Sequence, residues 1–326
     1  MRTRDVHRPG RRKHNDLHTS LNLSPEKPKN AMPESVADIH LVIEAALLSY
    51  LPQCQHPGAK GLDNALHYAV FPGGKRIRPI LSILGAQVLG ADPGLALPAA
   101  CAVEFTHTSS LIFDDLPCMD DAQIRRGIPV LHHVFGEEVA LLAGIALLNQ
   151  SYAIYGQTPD LIAEATRCIG VDGMVVGQAI DLLSQDGGGE PVDEWQKKQA
   201  ERNRKTSAMM RLALTAGALA CGAAPAEVAP LGDAGQSIGE AYQLADDLLD
   251  GERSRNRAEK TLEQNSFHRL SQGTTGEQAS LDQINGLIEN ARDSLQQAYG
   301  PATVEGLMAS VDTIFAAFGP RKRMAS

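Results

Sequence analysis

The chain has 326 residues, enough for one large domain or two small ones, with 43% hydrophobic residues but only 4% aromatic. A chain rich in Ala and Leu and poor in aromatics favours helix over sheet. Its formal charge of -9 argues against nucleic acid as the main partner. The five cysteines, Cys54, Cys101, Cys118, Cys168 and Cys221, are scattered and odd in number. That pattern suits a reducing compartment better than a disulfide framework or a zinc site. The longest apolar run, "VALLAGIALL" at 139–148, is too short to span a bilayer. The reading is therefore a soluble, cytoplasmic protein without a transmembrane segment.

The first 33 residues are polar, with Arg2, Arg4, Arg8, Arg11, Arg12 and Lys13 near their start. They lack the apolar core of a signal peptide and read as a disordered tail; residues 321–326 read as a short C-terminal tail. Between them, residues 34–320 read as one domain. "PESVADIHLVIEAALLSYL" has apolar residues at three- and four-residue spacing, with Glu34 in its first turn. "IRPILSILGAQVLG" stops at Gly90. A long apolar helix, "LALPAACAVEFTHTSSLIFDDL", ends in acids, and further helical patterns follow to "YQLADDLLD". Residues 251–275 read as a loop, with two more helices after Gly276. No sustained period-two alternation occurs. The expected fold is all-α, a single-domain bundle with a buried centre.

The acids form two groups. Asp114, Asp115, Asp120 and Asp121 follow the first apolar helix; Asp246, Asp247 and Asp250 lie far along the chain. On a helix Asp246 and Asp250 share a face with Gln243. Carboxylates gathered in one site repel one another unless a cation is present. Oxygen donors without His or Cys suit magnesium, which bridges a few carboxylates to phosphate oxygens. Two Asp groups on facing helices would make a cleft for a metal-bound phosphate; a solvated acidic surface is the plainer alternative for either group alone.

Cations sit beside these acids. "FPGGKRIRP" sets Gly73 and Gly74 before Lys75, Arg76 and Arg78, where the backbone can approach a ligand and cations can grip phosphate. Arg125 and Arg126 follow the first acids, and Lys205 and Thr206 lie in a third segment. No GxxxxGK[ST] loop exists. This is more phosphate-binding machinery than one diphosphate needs, so two diphosphate substrates are expected. Arg76 reads as a surface charge. His107 could be a core histidine, but its place two turns before Asp114 favours a phosphate role.

Together "FPGGKRIRPIL", "HTSSLIFDDLPCMDDAQIRRG", "GQAIDL", "KTSAMM" and "YQLADDLLD" resemble, in order, the motifs of the trans-isoprenyl diphosphate synthases, from about residue 36 to 318. The "DDLPCMDDA" form is most similar to bacterial geranylgeranyl diphosphate synthases. The resemblance implies an antiparallel helical bundle around a deep central cavity, usually a homodimer. It implies magnesium-dependent head-to-tail condensation of isopentenyl diphosphate with dimethylallyl, geranyl or farnesyl diphosphate, using about three magnesium ions. By match, Asp114, Asp120 and Asp246 would be metal ligands, with Asp115, Asp247 and Asp250 ligands or their support. Lys75, Arg78, His107 and Arg126 match the isopentenyl diphosphate site. Arg125, Lys205 and Lys260 match cations on the allylic diphosphate, and Asp181 matches the acid after "GQ". Thr206, Gln178 and Gln243 match polar groups facing the reacting carbon. Small residues at Ser109 and Ser110, one turn (about 6–7.5 Å) behind Asp114, would leave room for a geranylgeranyl tail. Met174 or Phe135 could floor the cavity instead, and close helix packing is the plainer use of the two serines.

The chain departs from the family pattern after the second Asp group, where "GERSRNRAEKTLEQ" replaces a "GKD"-like triplet, and Ala122 stands where many relatives have Asp. A farnesyl diphosphate synthase is the nearest alternative. A terpene cyclase would not need Lys75, Arg78 and His107, and a non-catalytic partner subunit would typically lose an Asp group.

Overall fold

The computed structural model describes residues 36–71, 73–184, 204–256 and 274–316. The N-terminal tail, the C-terminal tail and Lys260 fall outside the described residues.

Local signals set most helix ends. Helix α1 (Val36–Tyr50) and α2 (Lys60–Val70) lead to α3 (Ile77–Val88), after which Gly90 turns the chain with φ 70. Asp92 caps α4 (Pro93–Asp115) by accepting a bond from the Gly94 amide at 2.9 Å, with Pro93 at the first helical position. A two-residue hairpin, β1 (Ile124–Arg125) against β2 (Ile128–Pro129), turns through Arg126 and Gly127, both at positive φ as a tight hairpin turn requires. Then come α5 (Leu131–Phe135), α6 (Glu137–Tyr155), α7 (Pro159–Ile169) and α8 (Met174–Ser184). The last four are α9 (Arg204–Ala220), α10 (Pro225–Asn256), α11 (Thr274–Tyr299) and α12 (Pro301–Ala316).

The all-α expectation holds, with two boundary corrections. Helix α10 continues through Asn256, past the loop start expected at 251, and α11 already starts at Thr274. The polar stretch "GERSRN" fooled a reading based on apolar periodicity, because a polar segment can extend a helix whose apolar part is anchored elsewhere.

Helices α4 and α9 form the centre. From Ala99 to Phe105, α4 is buried on every side, and α9 is buried from Leu212 to Leu219. Helix α9 packs on α3, α4, α7, α8 and α10, and α4 packs also on α1 and α6. Small side chains allow this closeness. A Cβ on Gly85 of α3 would lie 2.1 Å from the Leu214 carbonyl of α9, and one on Gly217 of α9 would lie 2.1 Å from the Ser82 carbonyl of α3. Adding even one carbon at such a backbone contact forces the helices apart, at roughly 1–3 kcal/mol or more. The consequence for function is placement: the C-terminal end of α4 and the N-terminal end of α9 are held at the same end of a rigid centre.

Candidate active site

At that end of the bundle, charge that is costly to bury is concentrated. Asp114 and Asp115, the last two residues of α4, are each 5% exposed. The chain then makes a tight excursion. The Met119 and Asp121 amides bond to the Leu116 carbonyl, and the Asp120 amide returns to the Asp114 carbonyl at 2.9 Å. This turn brings Asp120 back beside Asp114. Burial, with Asp120 adding to it, lifts the Asp114 carboxyl above its ordinary range, against the pull of Lys205 and Arg125.

Cations from other segments meet these acids. Arg125 donates its Nε to both oxygens of Asp115, at 2.7 and 2.9 Å. Lys205, at the start of α9, donates to Asp114 at 2.5 Å and to Gln178 of α8 at 2.6 Å. The next residue, Thr206, donates to Gln243 of α10 at 2.9 Å, and Gln243 donates to Asp247 at 3.1 Å. Two adjacent residues of α9 thus tie the first Asp group to the helix that carries the second. Asp246 lies one turn beyond Gln243 on α10. Helices α4, α8, α9 and α10 meet in one polar network of Asp114, Lys205, Gln178, Thr206, Gln243 and Asp247. The backbones of Asp181 and Asp250 lie in α8 and α10; their side chains fall outside the described residues.

A second cation group lies along α4. Arg78 Nη1 donates to His107 Nε2 at 3.2 Å, while Arg78 Nε is buried without a partner. Because a guanidinium can only donate, His107 Nε2 must be unprotonated. Burial first, then Arg78, Arg126, Arg125 and Lys205, push the His107 pKa well below 6.5. His107 is therefore a neutral acceptor at physiological pH. Arg126 stands on Gly74, where a Cβ would come within 3.2 Å of its guanidinium. Lys75 is exposed at the loop before α3. Arg76, Asp121 and Arg126 have non-glycine positive φ, so all such backbone strain among the described residues sits in this region.

Three placements differ from the sequence reading. Arg76 is no surface charge: it is 1% exposed and paired with Glu44 of α1 and Glu104 of α4. Ser109 faces α6, donating to the Gly144 carbonyl at 2.9 Å, so it serves the helix seam that was its plainer reading. Ser110 donates back to the His107 carbonyl and is 6% exposed. Phe135 packs edge-on against Tyr68 of α2, with ring centroids 5.5 Å apart. Sequence reasoning also passed over Tyr242 of α10, whose hydroxyl is pushed up by burial and feels the charges of Arg78 and Asp246.

The sequence profile of polyprenyl synthetases matches residues 59–297, most of the chain, leaving out α1 and α12. The chain belongs to the polyprenyl synthetase family. It is 41% identical over 200 residues to geranylgeranyl pyrophosphate synthase 12 of Arabidopsis thaliana, covering 58% of this chain and 55% of that protein. It is 38% identical over 218 residues to the farnesyl diphosphate synthase of Geobacillus stearothermophilus, covering 64% of this chain and 71% of that one. The chain thus spans little more than half the length of the plant relative. Among solved structures, an FPP/GFPP synthase from Zymomonas mobilis superposes with a TM-score of 0.70 at 27% identity, over 85% of this chain and 99% of that one. No helix among the described residues is long and apolar enough to cross a membrane.

The donor set suits magnesium. Among the described residues no three His, Cys, Asp or Glu side chains stand together as a ready metal cage. Magnesium does not require one: it is commonly held by one or two carboxylates with waters and substrate phosphates completing its shell. Asp114, Asp115 and Asp120 on one side, and Asp246 and Asp247 on the other, are hard oxygen donors of that kind.

Proposed function

We propose that this protein is a magnesium-dependent prenyltransferase that condenses isopentenyl diphosphate head-to-tail with dimethylallyl, geranyl and farnesyl diphosphates, with geranylgeranyl diphosphate as its main product. The observation that carries this reading is the pair Lys205–Thr206, which links Asp114 to the helix of Asp246 while Arg78, held by neutral His107, is a separate cation on α3. A site for one diphosphate needs cations in one place; this one has them in two.

In this mechanism Asp114, Asp115, Asp120, Asp246, Asp247 and Asp250 would hold magnesium. When bound, the metal neutralises the departing diphosphate. Lys205 and Arg125 supply further positive charge as the allylic C–O bond breaks. The carbonyl oxygen of Gln178 and the hydroxyl of Thr206 present lone pairs toward the allylic cation, with Gln243 orienting Thr206. The double bond of isopentenyl diphosphate then forms the new C–C bond, and the released diphosphate takes the proton that restores a double bond. Lys75, Arg78 and Arg126 hold the acceptor's diphosphate.

His107 acts here by holding Arg78 in place, as a neutral acceptor. Exchange for glutamine, which also accepts, is expected to keep the KM for isopentenyl diphosphate within about threefold, whereas His107→Ala raises it about tenfold by leaving Arg78 unheld. Steady-state kinetics with each substrate varied would check this. Equal losses in the two variants would mean that the imidazole itself touches substrate.

The chain-length role moves to Ser110. Ser109 abuts the α6 backbone, so Ser109→Phe is expected to lower the melting temperature before it changes any product. Ser110→Phe should instead shift the product toward farnesyl diphosphate while early condensations continue. The test of both function and product is incubation with labelled isopentenyl diphosphate, each allylic primer and magnesium, followed by chromatography of the dephosphorylated alcohols. Absence of incorporation with every primer would sink the prenyltransferase reading. Wild type stopping at fifteen carbons would leave the second reading, a farnesyl diphosphate synthase, which the Geobacillus relative's name favours.

A homodimer is part of the proposal. Helix α6 leaves Leu141, Leu142 and Ile145 exposed along one face, an apolar stripe that a second copy would cover. The five free cysteines support a cytoplasmic setting.

A further inference from the structure

Arg76 directs its guanidinium away from solvent and beneath its own loop. Its Nε and Nη2 donate to the two oxygens of Glu44 at 2.6 and 3.3 Å, its Nη1 to Glu104 at 2.6 Å, and its Nη2 also to the Val70 carbonyl at 2.7 Å. These partners belong to α1, α4 and the end of α2. The backbone of Arg76 is left-handed, with φ 50, and the ring of Phe71 lies 5.7 Å from the guanidinium carbon. Gly73 lies against the guanidinium so closely that a Cβ there would come within 2.1 Å of Nη2, and its φ of 71 also requires glycine. One side chain thus fixes both ends of the short loop from Gly73 to Arg76.

Arg76 cannot itself meet a substrate, because it is 1% exposed and its three nitrogens are engaged. Its neighbours can. Lys75 precedes it and Arg78 lies two residues later. Glu104 stands one turn before His107 on α4, so the carboxylate that holds Arg76 lies on the helix whose His107 accepts from Arg78.

We propose that Arg76, clamped between Glu44 and Glu104, is the positioning residue of the acceptor diphosphate site: through Glu44, Glu104 and the Val70 carbonyl it sets the loop that presents Lys75 and Arg78. The proposal rests on the reading of Lys75, Arg78 and Arg126 as the isopentenyl diphosphate site. It gives α1 a part in substrate binding through Glu44, although α1 carries no residue of the site itself.

The test compares the full-length wild type with Arg76→Lys, Glu44→Gln and the double variant. A lysine keeps the charge but cannot span Glu44, Glu104 and the Val70 carbonyl together. Glu44→Gln removes one half of the clamp from a position 26% exposed, where folding is least at risk. The KM for isopentenyl diphosphate should rise about tenfold in Arg76→Lys and about threefold in Glu44→Gln, within the roughly hundredfold that a 1 Å misplacement can cost. The KM for the allylic partner and the kcat at saturation should stay within about twofold, and the double variant should resemble Arg76→Lys because the two changes break one unit. A merely structural arginine would lower the melting temperature and the apparent kcat through the amount of folded enzyme, leaving the KM for both substrates unchanged. That outcome, or a wild-type KM for isopentenyl diphosphate in the variants, overturns the clamp. If Arg76→Lys does not fold, Glu44→Gln decides by the same criterion. A wild type that never incorporates isopentenyl diphosphate overturns the functional reading instead, and the clamp with it.

Discussion

Asp114→Ala or Asp246→Ala is expected to lower turnover at least about a hundredfold with saturating magnesium, equivalent to roughly 3 kcal/mol of transition-state stabilisation. Asp114 ends α4, and Asp246 lies on α10, the helix that Thr206 reaches through Gln243. Each Asp group would supply carboxylates of its own to the metal, so neither can replace the other. Charge rather than volume is what the site needs, and Asp114→Asn should therefore fare nearly as badly as Asp114→Ala. A folding control matters because Asp114 is buried beside Lys205. Removing a carboxylate partner leaves Lys205 unpaired, although Lys205 keeps 26% side-chain exposure and can turn toward water. Turnover should thus fall in protein that still melts near the wild-type temperature. Near-normal kcat in either alanine variant would remove that Asp from the metal site.

Much of this site could be read from the chain because its residues violate the logic of the core. An apolar helix that ends in paired aspartates has no packing reason to do so, and the same anomaly recurs before Asp246. Helix ends marked by Asp92 and Pro93, or by Gly90, follow from local chemistry alone. Arg76 escaped because it stands among other cations in a glycine-rich loop, and nothing local tells an inward arginine from an outward one. Its partners did carry a signal. Glu44 sits inside "LVIEAALL" and Glu104 inside "ACAVEFT", and an acid in an apolar helical run demands a cation from somewhere. That the cation comes from a residue 32 and 28 positions away is tertiary information. Ser109 shows a different limit. A small side chain serves a cavity and a tight helix seam equally well, so only its bond to the Gly144 carbonyl distinguishes them. Tyr242 stood in a recognised motif, but its interaction with Arg78 depends on how α10 crosses the bundle.

The other large effect is expected at Lys205. Its Nζ donates to Asp114 of α4 and to Gln178 of α8, so it stands where three helices meet. Its backbone is equally fixed, since a Cβ on Gly177 of α8 would lie 2.6 Å from the Lys205 nitrogen. In the proposed reaction this ammonium stabilises charge that develops only as the allylic C–O bond breaks. Interactions made in the transition state alone appear in kcat, not in ground-state binding. Lys205→Ala should therefore lower kcat about a hundredfold, near 2.7 kcal/mol, while the KM for isopentenyl diphosphate changes less than about twofold. Lys205→Arg should recover only part of the loss, because a planar fork cannot place one atom between the Asp114 and Gln178 oxygens. A competing account is that Lys205 merely neutralises buried Asp114. It predicts a lower melting temperature with nearly intact kcat in the folded fraction, and it predicts that Asp114→Asn restores stability to Lys205→Ala. Single-turnover measurements with a saturating allylic substrate separate the two accounts. A slowed condensation step in stably folded Lys205→Ala supports the leaving-group role, and an unchanged step at lowered stability refutes it.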